Sequence, residues 1–209
     1  FRIGEAMKYY YIDRKTPIKK FDDLTFLDNY DSGTNFSIEF SKHEIYCLQL
    51  ACISGKDEKL TSVKVSGNGK FTCINTEGTD CKGKKFNLTP QIHKGVIKPI
   101  FIMLDYTGAD LKNDKITIEV CTENNIDKII IDVKLTDDFV ENNGFNDIKK
   151  LSRLVWLNSD KAIDNNIPKP FTPIKNDGLV FEILGRRITF GENALPQKIE
   201  SFFDEAANL

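Results

Sequence analysis

The residues that could support catalysis are few in this chain and poorly spaced for it. The only histidines are His43 and His93, so a zinc site or a histidine-assisted nucleophile has almost no imidazole available. No G-x-S-x-G, GxGxxG or P-loop motif is present. An Asp-Glu dipeptide at Asp204–Glu205 lies in the terminal stretch FFDEAANL, where we expect a solvated tail. The sequence therefore predicts no catalytic residue, no metal ligands and no cofactor.

Aromatic side chains are the second group with functional potential, because their faces can stack on sugar rings. The candidates are Tyr9, Tyr10 and Tyr11, which are consecutive, and Trp156, the sole tryptophan. Each also has a structural interpretation. The tyrosines fit a core or an interface, and the apolar neighbours of Trp156 favour an anchor that packs the chain onto the domain. Both interpretations of these residues stay open at the level of sequence.

The cysteines do not define a framework of disulfide bonds. Their number is five, so at least one is free or pairs outside the chain, and no CxxC spacing occurs. Cys73 and Cys81 flank a turn at Gly78 and could form a bridge. Buried or free thiols are the favoured interpretation, since cysteine behaves as a small hydrophobic residue in protein cores.

The charge balance argues against two classes of partner. Lys and Arg total 29 against 31 Asp and Glu, a net charge of −2, with the two signs interspersed. A nucleic-acid-binding or anionic-membrane surface needs a basic excess that this chain lacks. No apolar run is long enough to span a bilayer.

The elements that must position any site are predicted to be short strands. The most apolar run, Pro99–Leu104, is bounded by turns and predicts a strand buried on both faces. Glu44–Ile53 predicts another strong strand, and the alternation around Ile116–Val120 pairs with Lys128–Leu135 as an antiparallel hairpin. Gly67-Asn68-Gly69 predicts a hairpin-type turn. About eight strands at this spacing favour an all-β, antiparallel β-sandwich.

The chain is predicted to have three parts. Residues 1–145 form the β-sandwich domain, and residues 146–177 form a short helix and a Pro-rich linker, with the helix over Asp147–Leu157 capped by Asn146. Residues 178–209 form strands of an incomplete second β domain. Its three short strands cannot close a core alone, so they either join the first domain or begin a second sandwich.

Two blocks of sequence resemble the N-terminal β-sandwich region of proteins related to glycoside hydrolase family 123. One is TCINTEGTDCKGKKF at residues 72–86, followed by a glycine turn and the buried strand. The other is SRLVWLNSD at 152–160, with its continuation PFTPIKNDGLVFEILGRRITFGENALPQKIES at 170–201. With the strands between them, these blocks cover roughly residues 36–203. The family match favours the start of a second sandwich for residues 178–209.

The resemblance implies a role for the chain within a larger enzyme. In this family a catalytic (β/α) barrel follows the sandwich modules, and the enzymes act on N-acetylhexosamine-containing glycans through an Asp-Glu pair. We do not transfer that role to Asp204–Glu205. The resemblance thus implies a non-catalytic accessory module, inactive alone, whose partners are the barrel of the same parent protein and possibly glycan.

Two further expectations accompany this one. Family members are commonly exported, which implies an extracellular or periplasmic location. The alternative function is an independent carbohydrate-binding or cell-surface interaction sandwich, for which Trp156, Tyr9 and Tyr11 are the candidate carbohydrate-binding residues.

Overall fold

The computed structural model describes residues 5–14, 24–160, 163 and 166–202 of the chain. Its internal contacts divide the protein into two units, Phe1–Ile163 and Asp164–Leu209. Unit 1 contains two facing β-sheets and most of the strands. The predicted all-β, sandwich-like fold is confirmed.

The first sheet of unit 1 has four antiparallel strands, and the most apolar strands lie at its centre. Their order is β1 (Lys8–Ile12), β3 (Ile45–Ile53), β9 (Lys98–Asp105) and β5 (Lys70–Cys73). Every residue of β3 is buried, as are five consecutive residues of β9 from Ile100 to Leu104. The prediction that the Pro99–Leu104 run is a strand buried on both faces is confirmed.

The second sheet has five strands and alternates more clearly between buried and exposed positions. Their order is β2 (Asn35–Ser41), β11 (Ile126–Thr136), β10 (Asn113–Thr122), β4 (Glu58–Ser66) and β8 (Gln91–Ile92). The predicted hairpin is confirmed, because β10 and β11 pair antiparallel from Asn113–Lys134 to Cys121–Ile126. β2 pairs with β11 in the parallel direction.

Two hydrophobic clusters lie on opposite faces of the first sheet. The larger one fills the space between the sheets and includes Leu48, Ile102 and Ile118. The smaller one lies on the outer face and includes Cys47, Phe101 and Met103. Alternate side chains of β3 and β9 therefore serve different clusters, which explains why these strands lack a polar face.

The segment Gly67-Asn68-Gly69 is not a hairpin turn, contrary to the prediction. It leads from β4 in the second sheet to β5 in the first. Asp114 holds the crossing: its Oδ2 accepts from the Asn68 amide at 2.9 Å and the Tyr106 hydroxyl at 2.7 Å. Desolvation raises the pKa of Asp114, but its hydrogen bonds, including those from Tyr106 and Asn68, outweigh it and hold that pKa below its usual value. A Cβ on Gly67 would lie 2.6 Å from Ile116 Cγ2, so the close approach requires glycine.

The outer cluster is covered by 3-10 turns rather than by a regular α-helix. Four such turns are described: Leu24–Asn29, Glu141–Gly144, Ile148–Lys150 and Ser152–Asn158. The predicted helix over 147–157 is thus helical but interrupted, because Leu151 adopts the left-handed region at φ 59°. Its cap is Asp147, whose Oδ1 accepts from the Lys149 amide at 2.9 Å, not Asn146. Within the described residues, no helix is long and apolar enough to cross a membrane.

A short hairpin completes unit 1. It consists of β6 (Glu77–Thr79) and β7 (Lys85–Asn87), which pair antiparallel. β7 is separate from the next strand, β8, because β8 belongs to the second sheet. Gly78 pairs with Phe86, and its missing side chain leaves room for the Phe86 ring.

Unit 2 is a meander of four antiparallel strands, one more than the sequence predicts. They are β12 (Lys175–Asp177), β13 (Val180–Ile183), β14 (Arg186–Phe190) and β15 (Pro196–Ser201). Among its described residues only Gly191 is buried, so these strands form no closed core of their own. The finer division at 145 and 177 stays a prediction. The described residues 146–160 lie in unit 1.

All five cysteines are free in the structure, which gives a testable thiol count. Cys81 is exposed and the other four are buried, and burial raises the pKa of Cys47, Cys52 and Cys73 to about 12. Because the thiolate is the reactive form, we expect a thiol reagent to modify Cys81 rapidly and the other four only after denaturation.

The measurement is a thiol titration of the native and the urea-unfolded protein, with Cys81→Ser as the control that loses the rapid phase. A total of three titratable thiols in the unfolded, unreduced protein would instead show one disulfide bond, and peptide mapping would show whether it joins Cys73 and Cys81.

Candidate functional site

Trp156 lies on the surface of unit 1 rather than in its core. It belongs to the Ser152–Asn158 turn, hereafter the Trp156 turn, and its exposed fraction is 62%. The ring packs edge-on against Phe145, with centroids 5.5 Å apart and planes at 72°. The anchoring expected of Trp156 is performed instead by Leu151, Leu154 and Val155, which pack on the outer cluster. The tryptophan is thus free to contact a ligand.

Hydrogen bonds attach both ends of the Trp156 turn to the sandwich. At its start, the Ser152 hydroxyl donates to the Ile45 carbonyl at 2.7 Å. At its end, the Asn158 side-chain amide donates to the Glu77 carbonyl at 2.8 Å, and the Thr79 hydroxyl donates to the Asn158 carbonyl at 3.2 Å. These contacts restrain the backbone on both sides of Trp156, and its ring contacts Phe145.

A groove of about 500 Å³ lies beside this ring. Its walls come from strands β5, β6, β7 and β9, from the Glu141–Gly144 turn and from the Trp156 turn. We name it the Trp156 groove; its lining is Ile45, Lys70, Thr72, Glu77, Gly78, Thr79, Lys85, Asp105, Thr107, Asn143, Phe145, Val155, Trp156, Asn158, Ser159 and Asp160. The aromatic rings of Phe145 and Trp156 thus line the same concave surface as many polar and charged side chains.

Five charged side chains line the groove. They are Lys70, Glu77, Lys85, Asp105 and Asp160. The ion pairs found within 4.0 Å in the described part of the chain include none of these five. The three carboxylates are half-buried or exposed. A glycosidase general acid needs burial that keeps it protonated near neutral pH, so these groups suit binding better than acid catalysis.

The tyrosines proposed as partners of Trp156 lie elsewhere and face inward. Tyr9 is 2% exposed and donates through its hydroxyl to Asp127 Oδ2 at 2.7 Å, and Tyr10 is also buried. The Tyr11 hydroxyl shares a 2.6 Å hydrogen bond with that of Tyr46. Burial, reinforced for Tyr9 by Asp127, raises the pKa of Tyr9, and burial also raises that of Tyr11. None of the three tyrosines lines the groove, so they form no aromatic strip with Trp156.

A larger concavity of about 890 Å³ lies along β2, β10 and β11 but is a weaker candidate. No aromatic residue lines it. Its charges are largely paired, with Lys115 to Asp132 at 3.4 Å and Lys134 to Glu39 at 3.0 Å. These features are typical of a solvated sheet surface.

The Asp-Glu pairs of the chain give no catalytic centre either. Asp204–Glu205 lies outside the described residues. A second pair, Asp57–Glu58, was not considered at the sequence level and begins β4. The Lys56 ammonium, 3.0 Å away, lowers the pKa of Glu58, which opposes a role as general acid. In the part of the chain that is described, no three His, Cys, Asp or Glu residues are grouped to hold a metal ion.

Most groove residues were missed by sequence reasoning, which identified only Trp156. The lining comes from separate stretches at 70–79, 85, 105–107 and 143–160. No periodicity or motif links these stretches, since the sheet pairing of β5 with β9 and the folding back of the Trp156 turn bring them together. The one available signal was the pair of resembling blocks, because the first contains Glu77, Thr79 and Lys85 and the second contains Trp156 and Asp160.

Comparisons with known proteins yield only distant structural similarity. No family model and no curated protein matches the chain. Among solved structures, a family 123 glycoside hydrolase from Clostridium perfringens, studied for glycolipid glycan hydrolysis, aligns with a TM-score of 0.42 and 8% identity. The alignment covers 64% of this chain and 27% of that one.

Two other solved structures align at lower TM-scores. A FixG-related protein from Vibrio parahaemolyticus gives 0.31 at 10% identity, covering 64% of this chain and 96% of that one. A PapD-like domain of human CEP192 gives 0.26 at 14% identity, covering 50% and 84%. Similarities this low carry no functional description over to this chain.

Proposed function

We propose that this chain is a non-catalytic accessory module of a glycoside hydrolase that acts on N-acetylhexosamine-containing glycans, and that it binds carbohydrate in the Trp156 groove. The catalytic barrel of the same parent protein would perform the hydrolysis. The enzyme context rests on the two resembling sequence blocks. The observation that carries the binding role is the exposed Trp156 ring, which packs against Phe145 and lines a groove that also contains charged side chains.

The chemistry of sugars fits this surface. A pyranose ring has an apolar C–H face that stacks on an aromatic ring, and hydroxyl groups at its rim that donate and accept hydrogen bonds. Trp156 provides the aromatic face, while Glu77, Asp105 and Lys85 provide charged acceptors and donors. Charge-assisted hydrogen bonds of this kind are stronger than neutral ones. A module with this role belongs where glycans are present, so we propose an extracellular or periplasmic location.

Trp156→Ala is expected to weaken binding of the purified chain to its glycan at least tenfold, since buried aromatic anchors dominate such interfaces. The measurement is calorimetric titration with N-acetylhexosamine oligosaccharides. Trp156→Phe, which keeps an aromatic face, should retain part of the affinity. The matched control is Phe139→Ala: Phe139 is 87% exposed and lies outside the groove.

The outcomes separate the proposal from its rivals. Binding that survives Trp156→Ala, or that falls equally with Phe139→Ala, contradicts a Trp156 site. No measurable binding by the unmodified chain to any member of the panel contradicts the carbohydrate role. Because Trp156 is largely exposed, its variants should leave the urea unfolding midpoint close to that of the parent protein.

A second candidate function is a cell-surface interaction module that binds protein rather than glycan. One observation favours it. The strand register of unit 2 puts Phe181, Ile183, Ile188, Phe190 and Ile199 on one sheet face, opposite the charged face that holds the Glu182–Arg187 pair. Self-association detected by light scattering, and its loss with Ile199→Lys, would support this function.

A further inference from the structure

We infer that the Trp156 groove selects uncharged glycans over anionic ones such as sulfated, phosphorylated or uronate-containing chains. This inference rests on the proposed carbohydrate-binding function and specifies the ligand class of the same groove. It comes from the arrangement of charges around the groove rather than from Trp156 itself.

Among the described residues that line it, the groove has one more negative than positive charge and no arginine. Three carboxylates and two ammonium groups line it, namely Glu77, Asp105 and Asp160 with Lys70 and Lys85. Sites built for sulfate, phosphate or carboxylate groups typically use arginine, whose planar fork matches these anions bidentately. The described lining offers only two ammonium groups, which cannot bind an anion bidentately, and its three carboxylates exceed them in number.

Each lysine also has a carboxylate close to it on the neighbouring strand. Lys70 of β5 is the direct register partner of Asp105 of β9, so their side chains share one sheet face. Lys85 of β7 pairs with Thr79 of β6, and Glu77 lies two residues from Thr79 on that same face. Diagonal neighbours of this kind lie roughly 7–8 Å apart. Their opposite charges offset most of the attraction that either lysine would exert on an anion.

Among the described lining residues, Asp160 accounts for the one negative charge that has no lysine beside it in the sheet pairing. It has no described lysine or arginine within 4.0 Å, and it is exposed at the end of the segment that follows the Trp156 turn. An anionic group bound nearby would be repelled by this carboxylate. A sugar hydroxyl has no such penalty, because it can donate to a carboxylate or accept from an ammonium group.

The test compares a neutral N-acetylhexosamine trisaccharide with its 6-O-sulfated derivative by calorimetry. At about 20 mM salt, we expect the neutral ligand to bind at least threefold more tightly, and the difference to shrink at about 500 mM salt because screening weakens the repulsion. Asp160→Asn should raise the ratio of sulfated-ligand to neutral-ligand affinity about threefold at low salt. Asp132→Asn, outside the groove, is the matched control.

The results distinguish failure of this inference from failure of the proposed function. Equal or tighter binding of the sulfated ligand at low salt, sensitive to Trp156→Ala, overturns the charge preference and leaves the carbohydrate site in place. Binding of neither ligand overturns both. An equal effect of Asp160→Asn and Asp132→Asn on the sulfated ligand shows a general charge effect, and the preference would not belong to the groove.

Discussion

Replacing Glu44 by alanine is expected to lower the free energy of unfolding of unit 1 by about 3–5 kcal/mol. The Glu44 side chain is 3% exposed and binds two cations from distant parts of the chain. Its Oε1 accepts from Arg14 Nη2 at 2.9 Å, and its Oε2 accepts from Lys150 Nζ at 2.6 Å. Because Arg14 also lies over the Tyr46 ring at 4.3 Å, its guanidinium would stay largely buried without a counter-charge.

The positions of Glu44, Arg14 and Lys150 in the fold explain why the expected loss of stability is large. Glu44 directly precedes β3, Arg14 follows β1, and Lys150 ends the turn that leads into the Trp156 turn. The three side chains therefore join the first sheet to the segment that carries the groove. Loss of Glu44 should weaken the proposed glycan binding as well as stability, since it releases one attachment of that segment.

Urea unfolding followed by far-UV circular dichroism measures the change. The control is Glu39→Ala, which removes the exposed 3.0 Å pair with Lys134 and should cost no more than about 1 kcal/mol. In the double variant Arg14→Met, Glu44→Leu, both charges are replaced by apolar groups, so much of the lost stability should return. A Glu44→Ala variant as stable as Glu39→Ala would show that the cluster does not stabilise the fold.

The sequence predicted the elements whose pattern is local. The apolar run of β9 has no polar alternation, which indicates burial on both faces, and β10 with β11 alternates around a turn, which indicates a hairpin. The crossing at Gly67–Gly69 could not be predicted in this way. A segment with two glycines can join two paired strands or two strands of different sheets, and its sequence does not distinguish the two cases. Here the path of the segment is fixed by Asp114, which is distant in sequence and binds both Asn68 and Tyr106.

The site was predicted less completely because it is tertiary. Trp156 was identified as a candidate because it is the sole tryptophan, but its neighbours Leu154 and Val155 are the residues that pack on the outer cluster. The role of Tyr9 stayed open between the core and a carbohydrate site, because three successive tyrosines cannot reveal which faces of a strand are covered. In β1, Tyr9 packs between the sheets and Tyr10 packs in the outer cluster, so both side chains are buried.

Alanine substitutions at two adjacent residues of β9, Ile102 and Met103, are each expected to cost about 2–5 kcal/mol of unfolding free energy. Adjacent residues of a strand point to opposite faces, so in a sheet with one solvated face only one of the two would be costly. Here Ile102 belongs to the cluster between the sheets and Met103 to the outer cluster, and both are almost fully buried. The two losses should therefore be similar.

The pair of variants tests whether the turns outside the first sheet form a real second hydrophobic layer. Urea unfolding of each variant gives the two losses, and Ile126→Ala, at an exposed strand position, should change stability by about 0.5 kcal/mol or less. A large loss for Ile102→Ala with almost none for Met103→Ala would mean that the outer face is solvated. In that case the Trp156 turn would not be packed on the sheet, and the groove would lose the support that holds its aromatic ring.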